Sequence, residues 1–476
     1  MTSPADNLGT CSGARGLLRP NVVIAILCLL AAVLRVPQML QSLWYDEIVS
    51  ISHWISQPWA TIVAGEYSPN NHVLYSLLAK AVDVLGGGSD LALAARIPSF
   101  VAGIAAAVAL AWPLLRTRPG YALLLGLLLA MHPWAISFSG WARGYALLLL
   151  LAIVATQLLS QRRIGLAYAA ALVAAIYTLP IAIGIVVGHG ATMLLPEYRK
   201  DFRRWLFVVT IAVACAGLLY LPFLAGANQY WSSPGQPGAT YASFILGSLR
   251  HAIAGDDLPG TVYLILSVLV CTAGAACAWR WTELRPAILT FAVAEAFALV
   301  VPLLIPSAGE VRAALWGIPL FCLGAFGLLT LPSQRGLGKW ASTGAWVVMF
   351  LFLGLRDYDI ATVPAQPIAE ASQLARSTAT RAGHVVGVYM ASHEARAAYG
   401  GIDTVAMTLD ALQHAEARAP QPLVAVTFYE SFIRRDHPEL WRYLQEHYTL
   451  VRRLPGRISP AAVYTRRPSL SSREAS

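Results

Sequence analysis

Charge is scarce in this chain: Asp, Glu, Lys and Arg supply 12% of its 476 residues, 57% are hydrophobic, and the mean hydropathy is +0.58. So little charge excludes an ordinary soluble globular domain, in which about a quarter of residues are charged. Cysteine is also sparse. Cys11, Cys28, Cys215, Cys271, Cys277 and Cys322 all lie in apolar runs or in the N-terminal tail. None falls where an oxidising compartment would reach it, so a disulfide framework is not indicated. No Cys/His spacing suits zinc, and no Walker-type or GxGxxG loop is present to hold a soluble nucleotide. Energy from ATP is not indicated.

What the chain does have is apolar runs of membrane-spanning length, about 20 residues each. They lie near 21–38, 93–115, 120–138, 144–160, 164–178, 181–195, 206–224, 261–279, 286–305, 312–331 and 338–355, which predicts eleven spans. The first span follows a tail, residues 1–20, that lacks the apolar stretch and cleavage site of a secretory signal, so that span is expected to remain in the mature protein. The fifth and sixth runs are separated only by Thr178 to Pro180, and hydropathy alone fits one kinked helix equally well. Charge decides between the two. With the N-terminus inside and eleven spans, the inner segments hold fourteen basic residues, including Arg199, Lys200, Arg203 and Arg204, and the opposite loops hold six. Merging the two runs would place that cluster outside, against the positive-inside pattern.

The expected organisation is a cytoplasmic tail, a helical polytopic membrane domain over 21–356 with a long outer loop at 39–90, and an outer C-terminal segment over 357–476. The net charge of +9 is explained by the inner loops, so nucleic-acid binding is not implied. In the C-terminal segment, helical runs near Gln366–Arg376 and Pro438–Tyr448 alternate with strand-like runs at His384–Met390, Pro422–Tyr429 and Ala461–Arg466. That pattern predicts a small α/β domain. It offers no compact catalytic motif and reads as a structural cap, with acceptor or partner binding as the alternative.

The residues that suggest chemistry lie in the outer loops. Trp44-Tyr45-Asp46-Glu47 places two adjacent carboxylates just past the first span, within a stretch, Ser42–Trp54, whose apolar spacing predicts a helix lying on the membrane. A second surface helix is expected from about Asn71 to Leu85, opened by Ser68-Pro69-Asn70-Asn71-His72. Free N–H groups at such a helix start favour an anion, and His72 offers another donor. Ala142-Arg143-Gly144-Tyr145 puts a guanidinium between the third and fourth spans, and Glu310-Val311-Arg312 precedes the tenth. Arginine matches phosphate oxygens bidentately and stays charged. Two acids, a histidine and two arginines at one membrane surface suit transfer of a group from a lipid-linked phosphate donor. A carboxylate would take the proton from an acceptor hydroxyl, and the arginines would stabilise the departing phosphate. Arg96, just before the second span, reads as an interfacial anchor. Glu295 lies inside the ninth span, where a carboxyl costs about 3 kcal/mol unless paired or protonated, and is read as structural. Residues 225–260, with Asp256 and Asp257, read as a mobile flap.

These motifs, Leu43-Trp44-Tyr45-Asp46-Glu47, Asn70-Asn71-His72-Val73-Leu74-Tyr75, Ala95-Arg96-Ile97-Pro98-Ser99 with Gly103, and Ala142-Arg143-Gly144-Tyr145, cover roughly residues 35 to 160. In them the chain resembles the polytopic glycosyltransferases that use polyprenyl-phosphate sugars, the protein O-mannosyltransferase and aminoarabinose-transferase group. The resemblance implies a GT-C fold and a multi-pass protein of the bacterial inner membrane with its C-terminal domain outside. By that resemblance Asp46 is the base of an inverting displacement at the anomeric carbon, with Glu47 as its supporting neighbour. His72, Asn71, Arg143, Tyr145 and Arg312 would lie at the donor phosphate or sugar. The expected partners are a polyprenyl-phosphate-linked sugar donor, membrane lipids, and a lipid, glycan or protein acceptor. Some relatives use a divalent metal and others do not; one acidic pair without a second acidic loop argues against a dedicated metal site. Relatives often carry an acid two positions before the arginine, where this chain has Trp141. Two rival classes remain: a transporter or flippase of lipid-linked sugars, which needs no base, and an inactive relative retained as an assembly subunit. Polar groups gathered in outer loops, rather than in broken spans at the midplane, favour the enzyme.

Overall fold

The computed structural model describes residues 19–88, 90–224, 226–227, 241, 244–248, 265–266, 268–304, 315–331, 339–379, 383–418 and 423–467. Apolar helices occupy each of the eleven predicted runs, wholly or in part: α1 (Pro20–Met39), α5 (Leu91–Leu115), α6 and α7 (Pro119–Ala130 and Pro133–Gly140), α8 (Tyr145–Ser160), α9 (Leu166–Thr178), α10 (Ile183–Thr192), α11 (Phe202–Tyr220), α12 (Ala275–Ala278), α13 (Arg285–Leu304), α14 (Gly317–Leu329) and α15 (Lys339–Thr362). The expected count of eleven spans is not reproduced by length. Among the described residues four helical stretches are long and apolar enough to cross a bilayer, Pro20–Met39, Leu91–Leu115, Arg199–Phe223 and Thr282–Leu304, and a bent pair makes a fifth. The others fall short for identifiable reasons. The third run is interrupted at Met131 and His132, where Pro133 starts a new helix, and the two halves meet at 62°. The fifth and sixth runs hold two helices: an extended Leu179 and a short turn over Pro180–Ala182 separate α9 from α10.

The long loop over 39–90 forms α2 (Tyr45–Ser50), a π-helical turn at Ile51–Ile55, α3 (Trp59–Ala64) and α4 (Val73–Leu85). The expected helix on the membrane is therefore short, and its apolar residues do not face lipid. Leu43, Trp44, Ile48 and Trp54 are all buried in protein. Leu43 and Ile48 pack into the same core as Ile368, Val424 and Phe428 of the C-terminal domain.

Helix α5 is the hub, touching α1, α4, α6, α7 and α8. Gly103 on its inner face allows this. A Cβ there would sit 1.9 Å from Ser139 Oγ of α7 and 2.9 Å from Arg35 Nε of α1. Gly103→Ala is expected to lower stability by about 1–3 kcal/mol, the usual cost of overpacking, as measured by thermal unfolding in detergent.

The C-terminal segment forms α16 (Ile368–Ala379), β1 (His384–Val388), α17 (Ser392–Tyr399), β2 (Thr404–Ala406), α18 (Leu409–Arg418), β3 (Leu423–Thr427), α19 (Glu430–Asp436), α20 (Pro438–His447), β4 (Tyr448–Leu454) and β5 (Ala461–Arg466). The sheet order is β2-β1-β3-β5-β4, with β1 parallel to both β2 and β3, and β5 antiparallel to β3 and β4. The three expected strands are present within one or two residues. Two were not anticipated: β2 is only three residues long, and β4 is an edge strand with side chains exposed from Thr449 to Arg453, so it lacks the alternation that marks a half-buried strand.

Candidate active site

The link between α1 and α2 is held from both sides. Gln38 and Gln41 donate through Nε2 to Ile360 O at 2.9 and 2.7 Å, at the end of α15. Gln366 accepts from Tyr45 N at 3.0 Å through its side-chain oxygen and from Ser42 Oγ at 3.1 Å through its carbonyl. The Tyr399 hydroxyl accepts from Leu43 N. The C-terminal domain thus satisfies backbone groups where α2 begins, so it fixes the helix carrying the acid pair. Burial, followed by the Glu394 and Asp46 carboxylates, pushes the Tyr45 hydroxyl up to about 12, so it stays protonated beside Asp46 at neutral pH.

The adjacent acids of α2 have different fates, because successive residues of a helix point about 100° apart. Glu47 points inward and has no solvent exposure. Its Oε1 accepts from Arg96 Nε and from Ala142 N, both at 2.7 Å, and its Oε2 accepts from Arg96 Nη2 at 2.7 Å and Trp44 N at 3.2 Å. Four donors fill the accepting capacity of a carboxylate. Arg96 also donates through Nη1 to Met39 O and Gln41 O, at 3.0 and 2.7 Å. The expectation that Arg96 merely anchors the membrane interface is corrected: it is buried, forms a bidentate ion pair with Glu47, and ties α5 to the link between α1 and α2.

Asp46 lies on the more open side of α2, its side chain 12% exposed, with Oδ2 4.0 Å from Arg143 Nη2. Arg143 is positioned by three elements. Its Nη1 donates to Ser50 Oγ at 3.1 Å and Asn70 O at 3.3 Å, its Nη2 reaches the Tyr145 hydroxyl at 3.4 Å, and its guanidinium sits 5.6 Å from the Tyr145 ring centre. Its carbonyl accepts from Ser99 Oγ at 2.7 Å. Arg143 Nε has no acceptor among the described residues although it is buried.

His72 is fixed through one ring nitrogen. Its Nδ1 accepts from Gly144 N at 2.6 Å, which leaves the ring proton on Nε2, and its ring meets Tyr145 edge-on at 4.9 Å. Gly144 permits that approach, because a Cβ there would lie 2.9 Å from His72 Nδ1 and 2.7 Å from Thr178 Cγ2. Asn71 is occupied within the fold: Nδ2 donates to Ile62 O at 3.0 Å and Oδ1 accepts from Ser76 Oγ at 3.1 Å. Trp141 is buried against Trp44 with ring centres 4.9 Å apart. That position therefore contributes packing next to the acid pair.

The structure brings Asp46, Glu47, His72, Arg143 and Tyr145 together, with Asn71 behind them. Arg312, Glu310, Asp256 and Asp257, and nearly all of the expected flap, lie outside the described residues. Glu295 accepts from Gly317 N at 2.8 Å through Oε2 at the start of α14. Among the described residues no group of three or more His, Cys, Asp or Glu side chains is arranged to hold a metal ion.

Known structures share this fold. The chain is similar to ArnT from Cupriavidus metallidurans in the apo state, with a TM-score of 0.51 and 12% identity over 94% of this chain and 97% of that one. It is similar also to ArnT from the same organism bound to undecaprenyl phosphate, with a TM-score of 0.52 and 15% identity over 94% of this chain and 98% of that one. No family model and no curated protein matches the chain. At these identities the likeness establishes the fold, and the chemistry must be argued from the site.

Proposed function

We propose that the protein is an inverting glycosyltransferase of the bacterial inner membrane. It moves a sugar from a polyprenyl-phosphate donor to an acceptor hydroxyl or phosphate at the outer face, in the building of cell-envelope glycan. The N-terminus is cytoplasmic and the C-terminal domain extracytoplasmic, following the distribution of basic residues. Asp46 takes the proton as the acceptor oxygen forms its bond to the anomeric carbon; the bond from that carbon to the phosphate oxygen breaks, and polyprenyl phosphate leaves. Arg143, with Tyr145 beside it, stabilises the charge on the departing phosphate. His72 is a positioning residue that sets the Arg143–Gly144 turn through Gly144 N, Asn71 holds the start of α4 against α3, and Glu47 with Arg96 fixes α2.

The observation that carries this reading is the contrast within the acid pair. Glu47 has its lone pairs filled, while Asp46 is the more accessible carboxylate and lies 4.0 Å from a guanidinium with a buried N–H that meets no acceptor among the described residues. That a protein of the same fold is known bound to undecaprenyl phosphate supports a lipid-linked donor.

Replacing Arg143 tests the donor-phosphate role. Arg143→Lys keeps the charge but loses the planar fork, and is expected to weaken donor use by about tenfold or more in kcat/KM. Steady-state transfer with varied polyprenyl-phosphate sugar measures this. A lysine variant with parental kcat/KM would remove Arg143 from the donor site.

A further inference from the structure

The C-terminal domain contains a cavity that the proposed transfer chemistry does not use. Its volume is about 330 Å³, and it is lined by Glu430, Ser431, Arg434, Arg453, Ser459 and Pro460. This is at the lower end of the range for small-molecule sites. Its place in the fold is informative. Glu430 and Ser431 follow the carboxyl end of β3, and Ser459 and Pro460 immediately precede β5, which pairs with that end of β3. In open sheets with parallel strands, ligands bind outside the carboxyl ends of those strands. At the matching end of β1 the chain leaves through Tyr389 and Ala391, with φ of 69° and 68°. Such left-handed residues cost on the order of 1 kcal/mol each and cluster at ligand sites.

That edge of the sheet meets the membrane domain. Tyr429, next to Glu430, packs edge-on against Tyr45 with ring centres 6.1 Å apart, and Arg457, two residues before Ser459, donates to Ser137 Oγ of α7 at 2.8 Å. The segment that carries Glu430 is thus tied to α2 through Tyr429, which touches the neighbour of Asp46.

The lining favours a negative ligand. Glu430 is already committed: it accepts from Arg453 Nη2 at 2.7 Å and from the Tyr464 hydroxyl. Arg453 keeps its side chain 49% exposed. Arg434 sits over the Trp441 ring at 4.9 Å and forms no ion pair among the described residues. Two guanidinium groups against one neutralised carboxylate leave one positive charge in excess. Ser431, which is exposed, adds a hydroxyl to the lining. Arginine forks with a hydroxyl and a carboxylate beside them suit a sugar that carries an anionic group.

We propose that this cavity binds an acidic sugar, bearing phosphate or carboxylate, within the acceptor glycan. The proposal rests on the transferase reading only in taking the bound sugar to be part of the acceptor. The test uses the full-length protein in nanodiscs, titrated with glucose 1-phosphate, glucuronate and glucose in about 0.15 M salt, which screens diffuse surface charge. Saturable binding is expected for the phosphate or the carboxylate sugar, and which of the two binds identifies the group. Glucose is expected to bind at least about tenfold more weakly, and Arg434→Ala to weaken the anionic sugar by about tenfold, as for one charge-assisted hydrogen bond. Arg434 is exposed, so its removal leaves the fold intact, whereas removing Arg453 would strand Glu430. Asp46→Asn is expected to leave this binding unchanged, which separates failure of the subsite from failure of the catalytic reading. Absence of saturable binding, equal binding of glucose, parental affinity in Arg434→Ala, or loss of binding in Asp46→Asn would each overturn the proposal.

Discussion

Asp46→Asn is expected to slow sugar transfer by about 10²–10⁴-fold, the usual worth of a positioned general base, with the protein still folded and inserted. The substitution is nearly isosteric and, among the described residues, gives up the 4.0 Å ion pair with Arg143, so the protein should still fold and insert. Its neighbour should behave differently. Glu47→Gln places an amide NH₂ among four N–H donors and should lose stability as well as rate. Transfer rates and thermal unfolding measured on both variants distinguish base from buried support. Equal kinetic and stability losses at the two positions would mean that neither residue is the base.

The largest stability effect is expected at Arg96. Arg96→Met keeps the aliphatic stem but leaves the Glu47 carboxylate buried without its guanidinium, a situation that costs about 3–5 kcal/mol. The carbonyls of Met39 and Gln41 lose a donor at the same time. The double variant Arg96→Met with Glu47→Leu should lose less than the sum of the two single losses, by about 0.5–3 kcal/mol, because the pair is coupled. Thermal unfolding in detergent reads all three proteins. A single Arg96→Met variant as stable as the parent would contradict the buried-pair geometry.

The parts of the site visible in the sequence were those with unusual chemistry in an apolar chain: the Asp46–Glu47 pair, His72 and the Arg143 turn. Their partition was not visible. Which of two adjacent carboxylates turns inward depends on Arg96, 49 residues further on, and on the backbone N–H of Ala142. A signal did exist, because an arginine at the mouth of a span rarely goes unpaired. Arg96 within the Ala95-Arg96-Ile97-Pro98-Ser99 motif could have been matched to an acid on that ground. The contribution of Gln366 and Tyr399 to the α2 start had no sequence signal, since both make ordinary polar contacts to backbone across a domain boundary. The break between α6 and α7 was announced by His132-Pro133, but uninterrupted apolar composition masked it. Hydropathy likewise found the helices without their lengths, because it reports burial and lipid exposure alike.

The proposed reaction is a single displacement at the anomeric carbon by an acceptor that Asp46 deprotonates. The most direct test is the anomeric configuration of the product, read by NMR coupling of the anomeric proton after transfer from a polyprenyl-phosphate sugar of known configuration. Inversion is expected, together with release of polyprenyl phosphate. Retention of configuration would contradict the proposed reaction.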